Sequence, residues 1–383
     1  MQLAKNLSEG HGYSESVKPP FVPCTIRDPG YPYLLSLLFD AFGESFRWIY
    51  VLQSFLSAIT VIWLYLLAKR WLEWQYALLT AVIYCIYAPI LVWTSEILTE
   101  TLYTLLVVAS TYCIQLILDS KRTPGLSATV AGLVFASLVL TRAEALSYLA
   151  LVTLFAVVAG RAAWPLLCRL AWAWALTLLL LTPWVYRNYE ATGKLMLRDP
   201  SMLYSAIRMS TGLHGYQDPL HTVAFEYPGG MPKLQAQAYR LQVMAGLRQD
   251  WSHHPVECLS NKLKQILSCW FYCTGFPTNK VSVWEAIGHR DYLNLGWRVF
   301  LTAFWGLFFF ALEVYGAWSL VRVRQGSALL LVFSCYVTAV CLAIGAEYRY
   351  TIPGQALMLV FASVGIVRTM RFLPGRSSTG RGR

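Results

Sequence analysis

The sequence predicts an all-α protein that crosses a membrane about nine times. Of its 383 residues 57% are hydrophobic and only 13% are charged, about half of the charged share of roughly 25% that soluble globular domains carry. The mean hydropathy is +0.48. The apolar residues are gathered into runs long enough to cross a hydrocarbon core, which takes roughly 17 to 25 residues of helix.

Seven apolar runs have the length of a complete membrane span. They cover residues 46 to 68, 76 to 94, 97 to 118, 165 to 186, 298 to 320, 327 to 345 and 352 to 370. Two shorter runs, 126 to 141 and 143 to 160, meet at the sequence LTRAEAL, and we interpret them as a tight helical hairpin. If they formed one long helix instead, every later loop would change sides of the membrane.

Basic residues mark one set of span ends, and Lys and Arg accumulate on the cytoplasmic side of membrane proteins. The residues that predict the cytoplasmic face are Lys69, Arg70, Lys121, Arg122, Arg161, Arg169, Arg322, Arg324, Arg368, Arg371, Arg376, Arg381 and Arg383. The opposite, outer face then carries the turns near Glu96 and Arg142 and the turn GAEYRYTIP.

The chain divides into five parts. Residues 1–45 form an outer loop with an interfacial helix, 46–186 a first group of transmembrane helices, 187–297 an outer-side region with amphipathic helices, 298–370 three further transmembrane helices, and 371–383 a basic cytoplasmic tail. The tail contributes to the net charge of +11, and no DNA-binding motif accompanies it, so no nucleic-acid partner is expected. The six His residues lack the HxH or HExxH spacing of a metal site.

Ionisable residues at the ends of spans or within them are costly to place and are therefore candidates for function. They are Arg27, Glu96, Glu100, Arg142, Glu144, Arg187, Glu313, Glu347 and Arg349. All except Glu313 fall at the outer rim of the predicted spans. A transporter would gather such groups near the bilayer midplane, whereas a charged rim suits a substrate with a lipid tail in the membrane and a polar head outside it.

Two of these residues, Glu96 and Glu100, are one helical turn apart, and a helix through both would point them to the same face with Glu100 about 6 Å deeper. Glu96 is also explained as a charge at a helix N-terminus that Ser95 caps. Arg27 precedes a stiff Pro-Gly turn, from which its planar fork would grip a phosphate. The alternative is an interfacial arginine beside tyrosines of the membrane surface.

Seven motifs occur in an order that resembles a known family. They are LAKNLSEGHGYS, RDPGYPYLLSLLF, SEILTETLYTLL, GLVFASLVLTR, TPWVYRNYEATGK, the His-Pro helix at 254 to 273 and EYRYTIP. Together they resemble the bacterial GT-C membrane glycosyltransferases, relatives of the protein O-mannosyltransferases and of the lipid A aminoarabinose transferases. The resemblance covers most of the chain.

The resemblance implies an enzyme of the bacterial inner membrane that moves a sugar from a polyprenyl-phosphate donor, with inversion, to an acceptor hydroxyl on the periplasmic face. Glu96 would be the catalytic carboxylate. The implied substrate-binding residues are Arg27, Tyr31, Glu100, Arg142, Arg187, Asn188, Tyr348 and Arg349. The acceptor would be a glycan, a lipid or a protein, no cofactor is implied, and dependence on a divalent metal is left open.

The residue types suit this chemistry, because Arg can match the charge of a departing phosphate and a carboxylate can take the proton of a hydroxyl. Family members also carry a membrane span and then an Asp before the segment matching LAKNL, and we expect the nucleotide sequence upstream of Met1 to encode both. Asp28 and Glu9 lie on the wrong side of the motif to take that role. The alternatives are an N-terminally truncated, inactive homologue and a carrier or flippase for a lipid-linked sugar.

Overall fold

The computed structural model describes residues 1–119, 125–160, 163–214, 226–227, 229, 231–271, 292–344 and 348–372. Within these ranges the protein consists of α-helices, short 3-10 turns and loops, and no β-strand is found there. Helices α1 to α10 are Gln2–Ser8, Gly30–Phe42, Phe46–Ala68, Trp74–Ile86, Ala88–Thr94, Glu100–Asp119, Leu126–Thr141, Ala145–Ala159, Trp164–Thr192 and Ser201–Met209. Helices α11 to α15 are Lys233–His253, Pro255–Phe271, Tyr292–Val323, Leu329–Ile344 and Ile352–Phe372.

Each of the nine predicted spans corresponds to apolar helix, which confirms the predicted polytopic, all-α fold class. Within the described residues, six segments are long and apolar enough to cross a membrane, namely Phe46–Ala68, Glu100–Asp119, Trp164–Thr192, Gly306–Val323, Gln325–Ile344 and Arg349–Met370. The shorter apolar helices α4, α7 and α8 account for the other three spans. The predicted span 76 to 94 is divided at Tyr87, because Pro89 in the first turn of α5 has no N–H to continue the hydrogen bonding of α4.

Helices α7 and α8 form the predicted hairpin, so the alternative of one long helix is wrong. Only residues 142–144 separate them. At the far end of α8, a Cβ atom added to Gly160 would overlap the Leu166 side chain and touch that of Leu118, so α8 returns to the end of the bundle where α6 ends and α9 begins. The chain therefore changes direction at Arg142.

The bundle has two different ends. At one of them, Arg70 and Asp119 form an ion pair of 3.3 Å between the α3–α4 turn and the end of α6. At the other, the residues that precede or begin α2, α6, α8, α10 and α15 come together. We call this second end the rim end. It consists of residues 27–31, 96–100, 142–145, 198–201 and 348–351.

Helices α13 and α15 are held together by glycines at their closest approach. A Cβ atom on Gly316 would overlap the carbonyl oxygen of Phe361, and one on Gly365 would overlap that of Leu312. Small residues at a helix interface allow the two backbones to approach in this way. This contact fixes the position of α15, and the 3-10 turn Tyr348–Thr351 before α15 carries Arg349 to the rim end.

Candidate active site

The first half of the site is a carboxylate held by two arginines. Glu100 is the first residue of α6 and is only 1% exposed. Its Oε1 atom lies 2.5 Å from Nη2 of Arg142 and 3.6 Å from Nε of Arg349. The negative charge stands at the positive end of the α6 dipole, and the two guanidinium groups compensate it where water does not.

Arg142 is fixed in place from several sides. Its Nε and Nη2 atoms donate hydrogen bonds of 3.2 and 3.1 Å to the Thr99 hydroxyl. The guanidinium also lies over the rings of Tyr103 and Tyr350, at 5.0 and 5.1 Å from their centroids, in the range of a cation–π contact. Arg142 is therefore a preorganised positive charge from the α7–α8 turn.

The second half of the site is an arginine held by two carboxylates. Nη1 of Arg198 lies 2.8 Å from Oδ2 of Asp28, and its Nη2 lies 3.0 Å from Oε2 of Glu144. Glu144 is the residue before α8, two positions after Arg142, so the α7–α8 turn joins the two halves. We call the six residues Asp28, Glu100, Arg142, Glu144, Arg198 and Arg349 the rim cluster.

Asp28 and Arg198 were not among the residues selected from the sequence. A repeated tripeptide could have signalled them, because Arg-Asp-Pro occurs at 27–29 and again at 198–200, and each copy directly precedes a helix. The two copies lie side by side in the structure, since the Asp199 amide donates a hydrogen bond of 2.9 Å to the Thr25 carbonyl. Asp28 and Arg198 are 170 residues apart in the sequence, so their separation gives no indication that they pair.

The two carboxylates that share Arg198 differ in their proton affinity. Burial raises the pKa of Asp28 to about 6, with Arg198 opposing this effect and Glu144 adding to it. At Glu144 burial acts in the same direction, but Arg198 and Arg142 outweigh it and hold the pKa below its usual value. The difference follows the nearby positive charge, because Arg142 acts on Glu144 together with Arg198 but is the smallest of the influences on Asp28.

Glu96 does not stand on the same helix as Glu100, so the predicted common helical face is wrong. Helix α5 ends at Thr94, residues 95–99 are a bend, and α6 begins at Glu100. Ser95 follows α5, and its hydroxyl donates to the Val92 carbonyl at 2.7 Å rather than capping α6. Glu96 is half-buried and its carbonyl accepts a hydrogen bond of 2.6 Å from the Gln53 side chain. Its catalytic role stays a prediction.

The two residues predicted to hold the donor phosphate have different surroundings. Arg27 pairs with Glu15 at 3.2 Å, and its side chain is 46% exposed. Tyr31, in the first turn of α2, is buried, and its hydroxyl has no hydrogen-bond partner among the described residues. Burial and the nearby Glu100 carboxylate raise the pKa of Tyr31. Tyr31 thus lies near Glu100 of the rim cluster, while Arg27 faces the N-terminal segment.

Arg187 and Asn188 bind backbone rather than the rim cluster. The Arg187 guanidinium donates to the carbonyls of Cys24 and Tyr13, at 2.6 and 3.0 Å, and Asn188 donates to the carbonyl of Leu197 at 2.9 Å. They hold residues 13–24 and the segment before Arg198 against α9, which places Asp28 and Arg198. Direct contact of either side chain with substrate stays a prediction.

Tyr348, Glu347 and Glu313 are the three remaining candidates from the sequence. Tyr348 begins the 3-10 turn that carries Arg349, but its side chain lies outside the described residues, as does Glu347. Glu313 is buried within the span Gly306–Val323 and is not part of the rim cluster. Within the described part of the chain, no group of three or more His, Cys, Asp and Glu side chains is arranged to hold a metal ion.

An apolar groove begins next to the rim cluster. It has a volume of about 370 Å³ and lies between α8 and the C-terminal half of α9. Its lining residues are Leu146, Leu178, Leu181, Thr182, Val185, Tyr186, Leu195 and Leu197. Leu146 is two residues from Glu144, and Leu197 is the neighbour of Arg198, so one end of the groove adjoins the charges.

The family profile described as dolichyl-phosphate-mannose-protein mannosyltransferase matches residues 22–186. This stretch contains Asp28, Glu100, Arg142 and Glu144 of the rim cluster. The resemblance to the protein O-mannosyltransferases that the sequence motifs predict is therefore confirmed. None of the curated protein sequences matches the chain significantly.

Two solved structures are similar to the chain. One is the archaeal oligosaccharyltransferase AglB from Archaeoglobus fulgidus, in complex with an inhibitory peptide and a dolichol-phosphate, with a TM-score of 0.52, 16% identity, and coverage of 99% of this chain and 48% of that chain. The other is ArnT from Cupriavidus metallidurans bound to undecaprenyl phosphate, with a TM-score of 0.44, 12% identity, and coverage of 96% and 73%. The chain thus spans about half the length of AglB. The similarity to AglB confirms the GT-C type of fold.

Proposed function

We propose that this protein is a membrane glycosyltransferase that moves a sugar from a polyprenyl-phosphate donor to an acceptor hydroxyl, at the periplasmic face and with inversion. The observation that carries the proposal is the rim cluster, in which three arginines and three carboxylates meet at the end of a bundle of membrane-spanning helices. The proposal also draws on the match to a family described by its dolichyl-phosphate-mannose donor.

Two arginines of the rim cluster are suited to the donor phosphate. The side chains of Arg198 and Arg349 are 26% and 29% exposed, whereas that of Arg142 is 10% exposed. An arriving phosphate would therefore meet Arg198 and Arg349 first, and their planar guanidinium groups can bind it through two parallel hydrogen bonds. Arg142 would add positive potential from behind them.

The groove between α8 and α9 suits the lipid part of such a donor. Its lining is almost entirely apolar, and it adjoins Arg198 at one end. A donor with its first isoprene units in the groove would have its phosphate beside Arg198 and its sugar over the rim cluster. Bilayer lipid would fill the same groove in the absence of donor.

The chemistry requires little besides charge and position. The phosphate leaves as a stable anion, so positive charge must be in place where negative charge develops on the leaving oxygen. The acceptor hydroxyl loses a proton as it attacks, which a carboxylate of suitable pKa would accept. A single in-line displacement at the anomeric carbon then inverts its configuration.

Membranes from cells that produce the protein should transfer labelled sugar from a polyprenyl phosphate to an acceptor fraction. The probes are polyprenyl phosphates that carry labelled mannose, glucose or galactose. Arg198→Met and Arg349→Met should each lower the rate by about 10²-fold, the usual effect of removing one contact to the charge of a transition state. Arg47→Met, at an exposed residue of α3, is the matched control and should transfer at the wild-type rate.

The proposal is wrong if the wild-type protein transfers none of these sugars. A carrier or flippase would instead move the labelled lipid across sealed vesicles without releasing polyprenyl phosphate. Measuring released lipid phosphate alongside lipid movement separates the two activities.

A further inference from the structure

Arg198 has more negative charge around it than it can balance. Its guanidinium group pairs with Asp28 at 2.8 Å and with Glu144 at 3.0 Å, so two carboxylates share one positive charge. A donor phosphodiester that binds Arg198 would bring a third negative charge to the same group. Like charges at such short distances repel strongly where water is scarce. One of the two carboxylates must therefore move away when the phosphate binds.

Glu144 is the carboxylate that is held more loosely. Arg198 donates a hydrogen bond to Oδ2 of Asp28, and the amide of Ala143 donates a second one to the same carboxylate. By contrast, Oε2 of Glu144 accepts no hydrogen bond from the described residues. The Glu144 side chain is also 35% exposed, against 10% for Asp28. Because hydrogen-bonded ion pairs are the strong ones, the contact of Arg198 with Glu144 is the easier one to break.

We propose that Glu144 competes with the phosphate of the donor for Arg198. This assignment rests on the proposed function and adds to it a residue that sets how tightly the donor binds. The phosphate takes the place of Glu144 at Nη2 of Arg198, while Asp28 stays at Nη1 and keeps the arginine in position. After sugar transfer, Glu144 returns to Arg198 as polyprenyl phosphate leaves.

The backbone of Glu144 is fixed, so only its side chain has to move. The Glu144 carbonyl accepts hydrogen bonds of 2.7 Å from the hydroxyls of Tyr336 and Ser147, which tie it to α14 and to the first turn of α8. The apolar groove between α8 and α9 adjoins Arg198 at one end. A lipid in this groove would bring its phosphate directly to the contact between Glu144 and Arg198.

Two other roles for Glu144 predict different effects of substitution. If Glu144 only held Arg198 in place, shortening its side chain or removing its charge would weaken phosphate binding. If Glu144 acted only through its charge, removing the charge would strengthen binding and shortening the side chain would have no effect. Competition for Arg198 predicts that both changes strengthen binding, since the first removes the contact and the second removes the ionic attraction.

Glu144→Asp is the most direct test, because it keeps the charge but withdraws the carboxylate from Arg198 by one methylene group. Asp is also well accepted at the residue before a helix, which is the position of Glu144. The Kd of the protein in lipid nanodiscs for undecaprenyl phosphate should fall about fivefold in Glu144→Asp and in Glu144→Gln, the effect of one partly exposed ion pair.

Two further variants and a second lipid make the measurement specific. Arg198→Met should raise the Kd for undecaprenyl phosphate by about tenfold or more, because hydrogen bonds to a charged group are lost. Asp40→Asn removes a charge from an exposed residue of α2 and should leave the Kd unchanged. Undecaprenol, which lacks the phosphate, should bind the Glu144 variants and the wild-type protein equally. In the transfer assay, the KM for donor should fall together with the Kd in both Glu144 variants.

Unchanged or weaker binding of undecaprenyl phosphate by Glu144→Asp would overturn the assignment. Weaker binding by both variants would make Glu144 a support for Arg198, and stronger binding by Glu144→Gln alone would leave it only an electrostatic effect. Wild-type affinity in Arg198→Met would overturn the assignment too, because the phosphate would then not bind at Arg198. The proposed function is tested separately, by the transfer of labelled sugar by the wild-type protein.

Discussion

Arg142→Met should destabilise the protein by about 3–5 kcal/mol, the usual cost of removing one partner of a buried ion pair. The substitution leaves Glu100 almost fully buried, with Arg349 at 3.6 Å as its remaining ionic partner. It also removes the hydrogen bonds to Thr99 and the contacts with two aromatic rings. Sugar transfer should be lost together with stability.

Thermal unfolding in detergent measures this effect, and two further variants make it specific. The double variant Glu100→Gln/Arg142→Met leaves no unpaired charge from the pair and should regain most of the stability but not the activity. Arg70→Met breaks the more exposed pair with Asp119, which should cost at most about 1 kcal/mol. Equal midpoints for Arg142→Met and Arg70→Met would show that the rim cluster is not the tightly buried network described above.

Gly316→Ala should destabilise the protein by about 3 kcal/mol, at the upper end of what overpacking costs. The added methyl group would overlap the Phe361 carbonyl, which belongs to the backbone and cannot rotate away, so α13 and α15 must separate. Gly365→Ala should act alike, because the overlap is reciprocal across the same crossing. Since α15 follows directly on the turn that bears Arg349, transfer activity should fall as well.

Gly326→Ala is the matched control for this pair. The nearest atom to a Cβ at Gly326 is the Trp71 ring nitrogen at 3.6 Å, an ordinary contact. Its unfolding midpoint should equal that of the wild-type protein. If Gly316→Ala unfolds at the wild-type temperature too, the close approach of the two helices is wrong.

The fold could be predicted from the sequence because hydrophobic length decides it. Each apolar run became a helix within a few residues of its predicted bounds, and the charged turn LTRAEAL marked the α7–α8 hairpin. The exception is the region of 87–100, where hydropathy stays high although the helix breaks at Tyr87 and again between Thr94 and Glu100. A window of mean hydropathy does not detect such breaks.

The site could be predicted only in part. Charges beside an apolar run are conspicuous in the sequence, and this identified Glu100, Arg142, Glu144 and Arg349. Asp28 and Arg198 were not identified, since they lie in polar loops where charges are common, and nothing in their spacing shows that two loops 170 residues apart meet.

The most direct test of the account is a structure of the protein with a polyprenyl-phosphate sugar bound. We expect the phosphate within hydrogen-bond distance, about 3 Å, of the guanidinium group of Arg198 or Arg349, the first isoprene units in the groove between α8 and α9, and the sugar over the rim cluster. A donor whose phosphate contacts none of Arg142, Arg198 and Arg349 would contradict the assignment of the rim cluster as the active site.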